Sequence, residues 1–454
     1  MESEKKVNLT KTVLFTVCSI LVLDSFVAPA IIGVSSISVW ILTAIIFFIP
    51  YGLLSAELGS TFPDDGGIVS WVGRAFGEFP RVLVGWMYWV NVAFWMPAVF
   101  TAFSGWLNIA LFPNMSVFTM ALVAVVMCWI VVWIGVRGIE LSVTVSSIMA
   151  ILKMAILVIF GFMGVAYGIK YGLANDFSLK NWVPSWDNTI VYVAAIVYNL
   201  LGFELIGSIG SKIEKPSRTV PKMTVIAGAA ITFLYAFGTF GVLAAIPAES
   251  VDTVDGFVYA LQELCSIFGA AQMPVYRVLV ILAILTLVAN MITWTLGANE
   301  SFMGAELDKR SKFLAHRHKR YGTTDNLYYL MGIISTILII LNYSLSGDAN
   351  DIFWAIFSFA SIVFMLNYLF MFPAAVKLKY TDNTPRQYAV PGGKAGMWIC
   401  AVLCFVCVGL SCYFLVDWDL SGYVFWMELI GTLITVLIGW LLYKAGKKVS
   451  KEKV

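Results

Sequence analysis

The side chains with the most chemistry to offer are charged groups inside apolar runs long enough to cross a bilayer: Asp24, Lys153 and Glu204. Asp24 lies in Leu-Val-Leu-Asp-Ser-Phe-Val-Ala-Pro-Ala, residues 21–30. A carboxylate in the middle of a lipid-spanning helix costs about 2.5–3.5 kcal/mol on insertion scales unless it faces protein, water or a cation. Pro29, five residues on, removes a backbone donor, so the helix is expected to break beside the charge. An acid at a break in a midplane helix reads as a site for something positive. Glu204 closes a second interruption, Tyr198-Asn199-Leu200-Leu201-Gly202-Phe203-Glu204, where Gly202 supplies permissive backbone. The ends of half-helices carry unpaired N–H and C=O groups that coordinate ligands. Two readings of Asp24 stay open: it holds a cationic ligand, or it is a structural acid, protonated or paired with Lys153. Glu300 and Glu428 are also intramembrane. Glu300 is placed along an inner path; Glu428 is peripheral, in a structural role or at a dimer face. Asn91, Asn199 and Asn367 are polar candidates for lining the site.

The elements that must position these groups are membrane helices. Of 454 residues, 60% are hydrophobic and 12% charged, whereas a soluble globular protein carries roughly 25% charged residues. Apolar runs of about 20 residues recur along the chain, which makes it an all-α polytopic membrane protein. Twelve transmembrane helices are expected, at 12–34, 37–60, 82–109, 116–136, 143–168, 188–210, 222–247, 275–302, 327–345, 350–376, 396–416 and 423–443. The N-terminus is polar and no cleavable signal peptide is expected. With residues 1–11 and 444–454 as cytoplasmic tails, all but four of the 29 Lys and Arg residues fall on the inner side; the exceptions are Lys153, Lys170, Lys180 and Arg277. That bias sets both termini inside. The basic block from Lys309 to Arg320, with His316 and His318, reads as an inside-anchoring loop rather than a nucleic-acid site. The outer loop 248–274 reads as a re-entrant or surface helix pair covering an entry path. The seven scattered cysteines read as small core residues, and no metal or cofactor is expected.

Four further motifs carry a resemblance. The second span ends Ala56-Glu57-Leu58, then Phe62-Pro63-Asp64-Asp65-Gly66-Gly67, with Trp71 and Phe76-Gly77 following. The third opens Gly85-Trp86-Met87-Tyr88-Trp89. Glu214-Lys215-Pro216-Ser217-Arg218-Thr219-Val220-Pro221 follows the sixth, and Arg386-Gln387-Tyr388-Ala389-Val390-Pro391-Gly392-Gly393 follows the tenth. In this order the chain resembles the amino acid–polyamine–organocation transporter superfamily, over nearly its whole length. The resemblance implies a five-plus-five inverted repeat of the leucine-transporter type with broken helices 1 and 6. On that reading residues 12–168 form the first repeat, 188–376 the second, and 396–443 two further helices. Glu214 and Arg218, four apart, are expected either to pair across an inner gate or to form an exposed helix-end pair.

The chain also departs from the pattern. Amino-acid members of the superfamily break helix 1 at a Gly-Ser-Gly type motif whose bare amides hold the substrate carboxylate. Registered on Pro29, this chain has Val22-Leu23-Asp24 there. A carboxylate repels a carboxylate and attracts an ammonium. An amine substrate is therefore expected over an α-amino acid bound in the usual way. The resemblance also implies that Lys153 fills the place of a sodium ion and bridges helices 1 and 8, against sodium coupling. Tyr198 matches the superfamily's aromatic gate in helix 6. Trp294, Tyr88, Trp89 and Trp95 are candidates to stack on a cation. Glu204 is a second acid for a dication, or a gating carboxylate. The expected function is alternating-access exchange of organic amines, agmatine for putrescine or similar polyamines, across the plasma membrane. The alternatives are an amino acid permease or an amino acid/amine antiporter of the same fold. The expected partners are a small organic cation, the lipid bilayer and a possible second copy. An enzyme is not expected, because both histidines lie in one loop and no nucleophile–base set falls in the spans.

Overall fold

A computed structural model describes residues 6–252, 255–344 and 349–451. Fourteen α-helices follow one another among the described residues: α1 Leu9–Ile20, α2 Ser35–Thr61, α3 Ile68–Phe76, α4 Glu78–Ala110, α5 Val117–Val136, α6 Ile139–Tyr171, α7 Trp186–Asn199, α8 Pro216–Ala245, α9 Gly256–Leu264, α10 Gln272–Met303, α11 Asp325–Ser344, α12 Ala349–Thr381, α13 Gly393–Leu415 and α14 Tyr423–Lys451. Eleven segments among the described residues are long and apolar enough to cross a membrane. Eleven of the twelve runs read from the sequence overlap these segments, and the first overlaps α1, which is only 12 residues long.

The shortness of α1 has a local cause. Asn8 caps its start by accepting a hydrogen bond from the Lys11 amide at 3.0 Å. The helix ends at Leu21, where the backbone turns extended. Residues 21–27 form turns and bends, and a 3-10 segment at Ala28–Ile32, with Pro29 in its first turn, closes the run. The apolar run is thus continuous in sequence but not in helix. α2 carries a π-helical turn at Ala44–Phe48, just before Pro50 removes a donor. α7 stops at Asn199, and a 3-10 segment spans Phe203–Lys212. Between them Gly202 adopts φ 135°, which L side chains rarely take. A Cβ there would also lie 2.9 Å from Ile20 and 3.4 Å from the Trp294 ring, so the position is closed to any larger residue.

The centre of the bundle is built from α4 and α10, which pack along each other and bury most of their lengths; α6 packs on α8 and on α1. α5, α13 and α14 turn large apolar side chains outward, among them Phe118, Trp133, Ile399, Leu410 and Leu433, which fits a lipid-facing rim. α9, in the loop after α8, buries Phe257 against Trp106, Phe160 and Phe26 at centroid distances of 5.2, 5.3 and 6.1 Å. It therefore sits on the break of the first run as a short helix followed by a 3-10 turn, not as a pair of helices. Apart from one bridge, Val7 to Ile213, the described residues contain no strand.

Candidate substrate site at the helix breaks

The two interruptions meet. Ser25 donates to Asn199 Oδ1 at 2.6 Å, and Asn199 Nδ2 returns a bond to the Ser25 carbonyl at 3.3 Å. Tyr235 of α8 locks the pair from behind. Its hydroxyl accepts from the Val22 amide at 3.0 Å and donates to the Ile20 carbonyl at 2.6 Å. One phenol thereby satisfies two backbone groups that the break leaves open. Replacing it by Phe should strand a buried N–H and lower stability by about 1–3 kcal/mol. Denaturation of the detergent-solubilised Tyr235→Phe variant checks this; an unchanged midpoint would mean the break is held by other groups.

Asp24 sits in the middle of this turn, half-buried, and its Oδ1 is buried with no hydrogen-bond partner. The Lys153 charge acts on it, but the ammonium is spent elsewhere. Its Nζ donates to the Cys18 carbonyl at 3.1 Å, to the Leu21 carbonyl and to Asn290 Oδ1 at 2.8 Å. A lysine has three protons to donate, and these three acceptors use them. Lys153 thus ties the end of α1 to α10 and holds its unpaired carbonyls, while Asp24 stays free of a direct ion pair.

Glu204 is fully buried and differently placed. Its carboxylate accepts from the hydroxyls of Tyr88 at 2.6 Å, Tyr368 at 2.7 Å and Tyr51. Tyr51 in turn accepts from the amides of Gly202 and Phe203 at 3.0 and 2.9 Å. Glu204 is therefore the hub of a tyrosine cage joining α2, α4 and α12 to the second break. An aromatic group lies against it. Trp294, whose indole donates to the Ser19 carbonyl at 2.9 Å, stands 6.2 Å from Tyr88, 5.7 Å from Trp95 and 5.3 Å from Phe364. Tyr198 packs edge-on against Phe364 at 5.8 Å. The structure thus gathers Asp24, Asn199, Tyr198, Trp294, Tyr88 and Trp95 around the breaks. It leaves Trp89 out: that indole stacks on Trp86 and donates to Asn299.

The face carrying residues 62–67, 211–218 and 382–391 is closed by backbone and charge. Asp65 accepts from the Ser211 amide and hydroxyl at 3.0 and 2.7 Å, and Gly66 meets Gly304 backbone to backbone. Buried Glu57 binds Lys379 at 2.7 Å, Arg386 at 2.9 Å and the Val390 amide at 2.7 Å. The end of the second span and the motif after the tenth are thus two halves of one cluster. The expected Glu214–Arg218 pair is not formed; both side chains are exposed. Lys215 is left-handed at φ 47° and α8 begins only at Pro216, so Glu214 lies off the helix and the four-residue spacing loses its meaning.

A profile of the family described as amino acid permease matches residues 7–439. The chain belongs to the amino acid permease family. Members of this family are membrane transporters of the wider superfamily the motifs resemble, not enzymes. This family member is 28% identical over 452 residues to a protein of Lactococcus lactis named a probable agmatine/putrescine antiporter, covering 98% of this chain and 96% of that one. It is 24% identical to an aspartate/glutamate permease of the same species over 446 residues, covering 90% of this chain and 89% of the relative. Among solved structures, a manganese transporter of Eremococcus coleocola aligns with a TM-score of 0.61 at 12% identity, over 98% of this chain and 95% of the other, which speaks for the fold alone.

Sequence reasoning missed Tyr51, Tyr235, Tyr368 and Asn290 in this permease-family chain. The tyrosines are ordinary residues for an apolar helix, Asn290 is one polar residue among several in the spans, and each reaches a partner more than 130 positions away. The one available signal was the polar demand itself: two broken helices and two buried charges require donors and acceptors from neighbouring spans.

Proposed function

We propose that this transporter exchanges organic amines of the agmatine and putrescine class by alternating access around the two helix breaks. The observation that carries the reading is Asp24: a carboxylate at the helix-1 break, with one oxygen buried and unpartnered, beside an aromatic group. A buried acceptor without a donor has a standing need for one, and an ammonium or guanidinium supplies it. An α-carboxylate placed there would meet the same charge as repulsion. Tyr198 and Trp294 flank the cation, and Asn199 fixes the turn that presents Asp24. Lys153 serves as a fixed internal cation in place of a coupling sodium ion. Glu204 and its tyrosines separate the amine from the basic face until the gate opens. The basic face is cytoplasmic, with both termini inside the plasma membrane, and residues 12–168 and 188–376 form the inverted repeats. Trp89 keeps only a packing role.

The test is counterflow. Purified protein in vesicles preloaded with unlabelled putrescine should accumulate labelled agmatine or putrescine unchanged. Labelled arginine, ornithine, aspartate and glutamate should exchange at least tenfold more slowly. Rapid arginine/ornithine exchange with no amine uptake would overturn the substrate reading and favour amino acid antiport.

A further inference from the structure

On the path between the breaks and the basic face lies a second unsatisfied acid, Glu300 of α10. Residues 293, 297, 300 and 304 share one face of that helix at a period of 3.6. Thr293 touches Cys18 of α1 at 3.4 Å. Gly297 lies under Leu205 of the 3-10 segment, where any Cβ would collide. A Cβ on Gly304 would lie 2.8 Å from the Gly66 Cα. This face therefore runs from the last turn of α1, along the second break, to the backbone contact that closes the basic side. Glu300 stands between Gly297 and Gly304 on it, six residues beyond Trp294, which is about 9 Å along the axis.

Its side chain is 6% exposed, and Oε1 is buried with no hydrogen-bond partner. Arg317 and Asp65 are close enough to act on it electrostatically, but neither donates to Oε1. The contrast with its neighbours is informative. Glu204 has three hydroxyls and Glu57 has two cations and an amide. Glu300, like Asp24, keeps acceptor capacity unused. Asp65, one residue from the Gly66–Gly304 contact, adds a second carboxylate on the exposed side of the same closure.

We propose that Glu300 is a way-station for an alkylammonium or guanidinium group on the basic-face side, occupied after the Gly66–Gly304 and Asp65–Ser211 contacts part. It rests on the cation reading of Asp24. Opening those contacts exposes the Glu300 carboxylate to the vestibule, and a cation leaving Asp24 meets it before bulk water. Entry from the same face uses the same acid first, so its effect belongs to one side of the membrane.

The experiment measures KM for labelled putrescine from each face, in proteoliposomes of uniform orientation, for wild type, Asp24→Asn and Glu300→Gln. Glu300→Gln should raise KM from the basic face about tenfold, the loss of about 1.4 kcal/mol of binding. KM from the opposite face should stay within twofold, and the thermal midpoint without amine should not fall. Equal KM changes on both faces would mark a structural role and overturn the proposal. So would an unchanged basic-face KM, or a shifted pH profile with no side-specific KM change, which would make Glu300 a proton carrier. Wild-type exchange that is lost in Asp24→Asn but identical in Glu300→Gln sinks the way-station alone. Wild-type protein inert to amines sinks both readings.

Discussion

Asp24→Asn should abolish amine exchange while leaving the fold intact. The substitution keeps the shape and removes the charge. A cation in a largely water-excluded site loses its counter-ion, which typically costs about 2–5 kcal/mol, or at least about 30-fold in affinity. The apo protein should not suffer. Its Asp24 Oδ1 accepts no hydrogen bond, and Lys153 keeps its three acceptors without it. The thermal midpoint of the variant without amine should equal or exceed that of wild type, and millimolar putrescine should stabilise only the wild type, by mass action. Full exchange by the variant would remove Asp24 from the site. A collapse of apo stability would instead make Asp24 a structural counter-ion of Lys153.

Glu57→Gln should produce a large loss of stability. Glu57 is buried, and its partners Lys379 and Arg386 are only 11% and 13% exposed. Removing one member of such a cluster strands the other charges and costs about 3–5 kcal/mol. Arg386 also donates to the carbonyls of Leu378, Asp382 and Thr384, so it caps the end of α12 while pairing with α2. A strong drop in thermal midpoint is expected for Glu57→Gln, and a partial recovery when Lys379→Met is added, because the double change leaves fewer unpaired charges. Additive losses would show that the pair is not what holds these helices together.

Much of the helical framework was legible because a lipid-spanning helix must satisfy its own backbone and present apolar side chains over about 20 residues. The α-helix stops at Ile20 and at Asn199, close to where the sequence sets Pro29 near an acid and Gly202 near polar residues. What hydropathy hides is continuity: the run from Thr12 onward reads as one span, yet its α-helix stops at Ile20. The site was half legible. Charges stand out against lipid, so Asp24, Lys153 and Glu204 announce themselves. Tyrosines do not, since a phenol is at home in a helix whether or not its hydroxyl has work, and the cage around Glu204 depends on contacts 116 to 164 positions apart. Glu214 and Arg218 show the opposite error, a local spacing rule applied where no helix runs through both residues.

The bridge between Val7 and Ile213 bears on how motion in this protein can be measured. Val7 donates to the Lys212 carbonyl at 2.8 Å and accepts from the Glu214 amide at 2.9 Å, so the start of α1 is stitched to the end of the second broken run. The two segments joined by these bonds are expected to move together, as a single lever. A pair of fluorophores at positions 6 and 214 should report one unvarying distance throughout the cycle and so serve as a built-in ruler. A pair at 214 and 384 spans the lever and the Glu57-anchored loop, and should change its energy transfer each time the basic face opens.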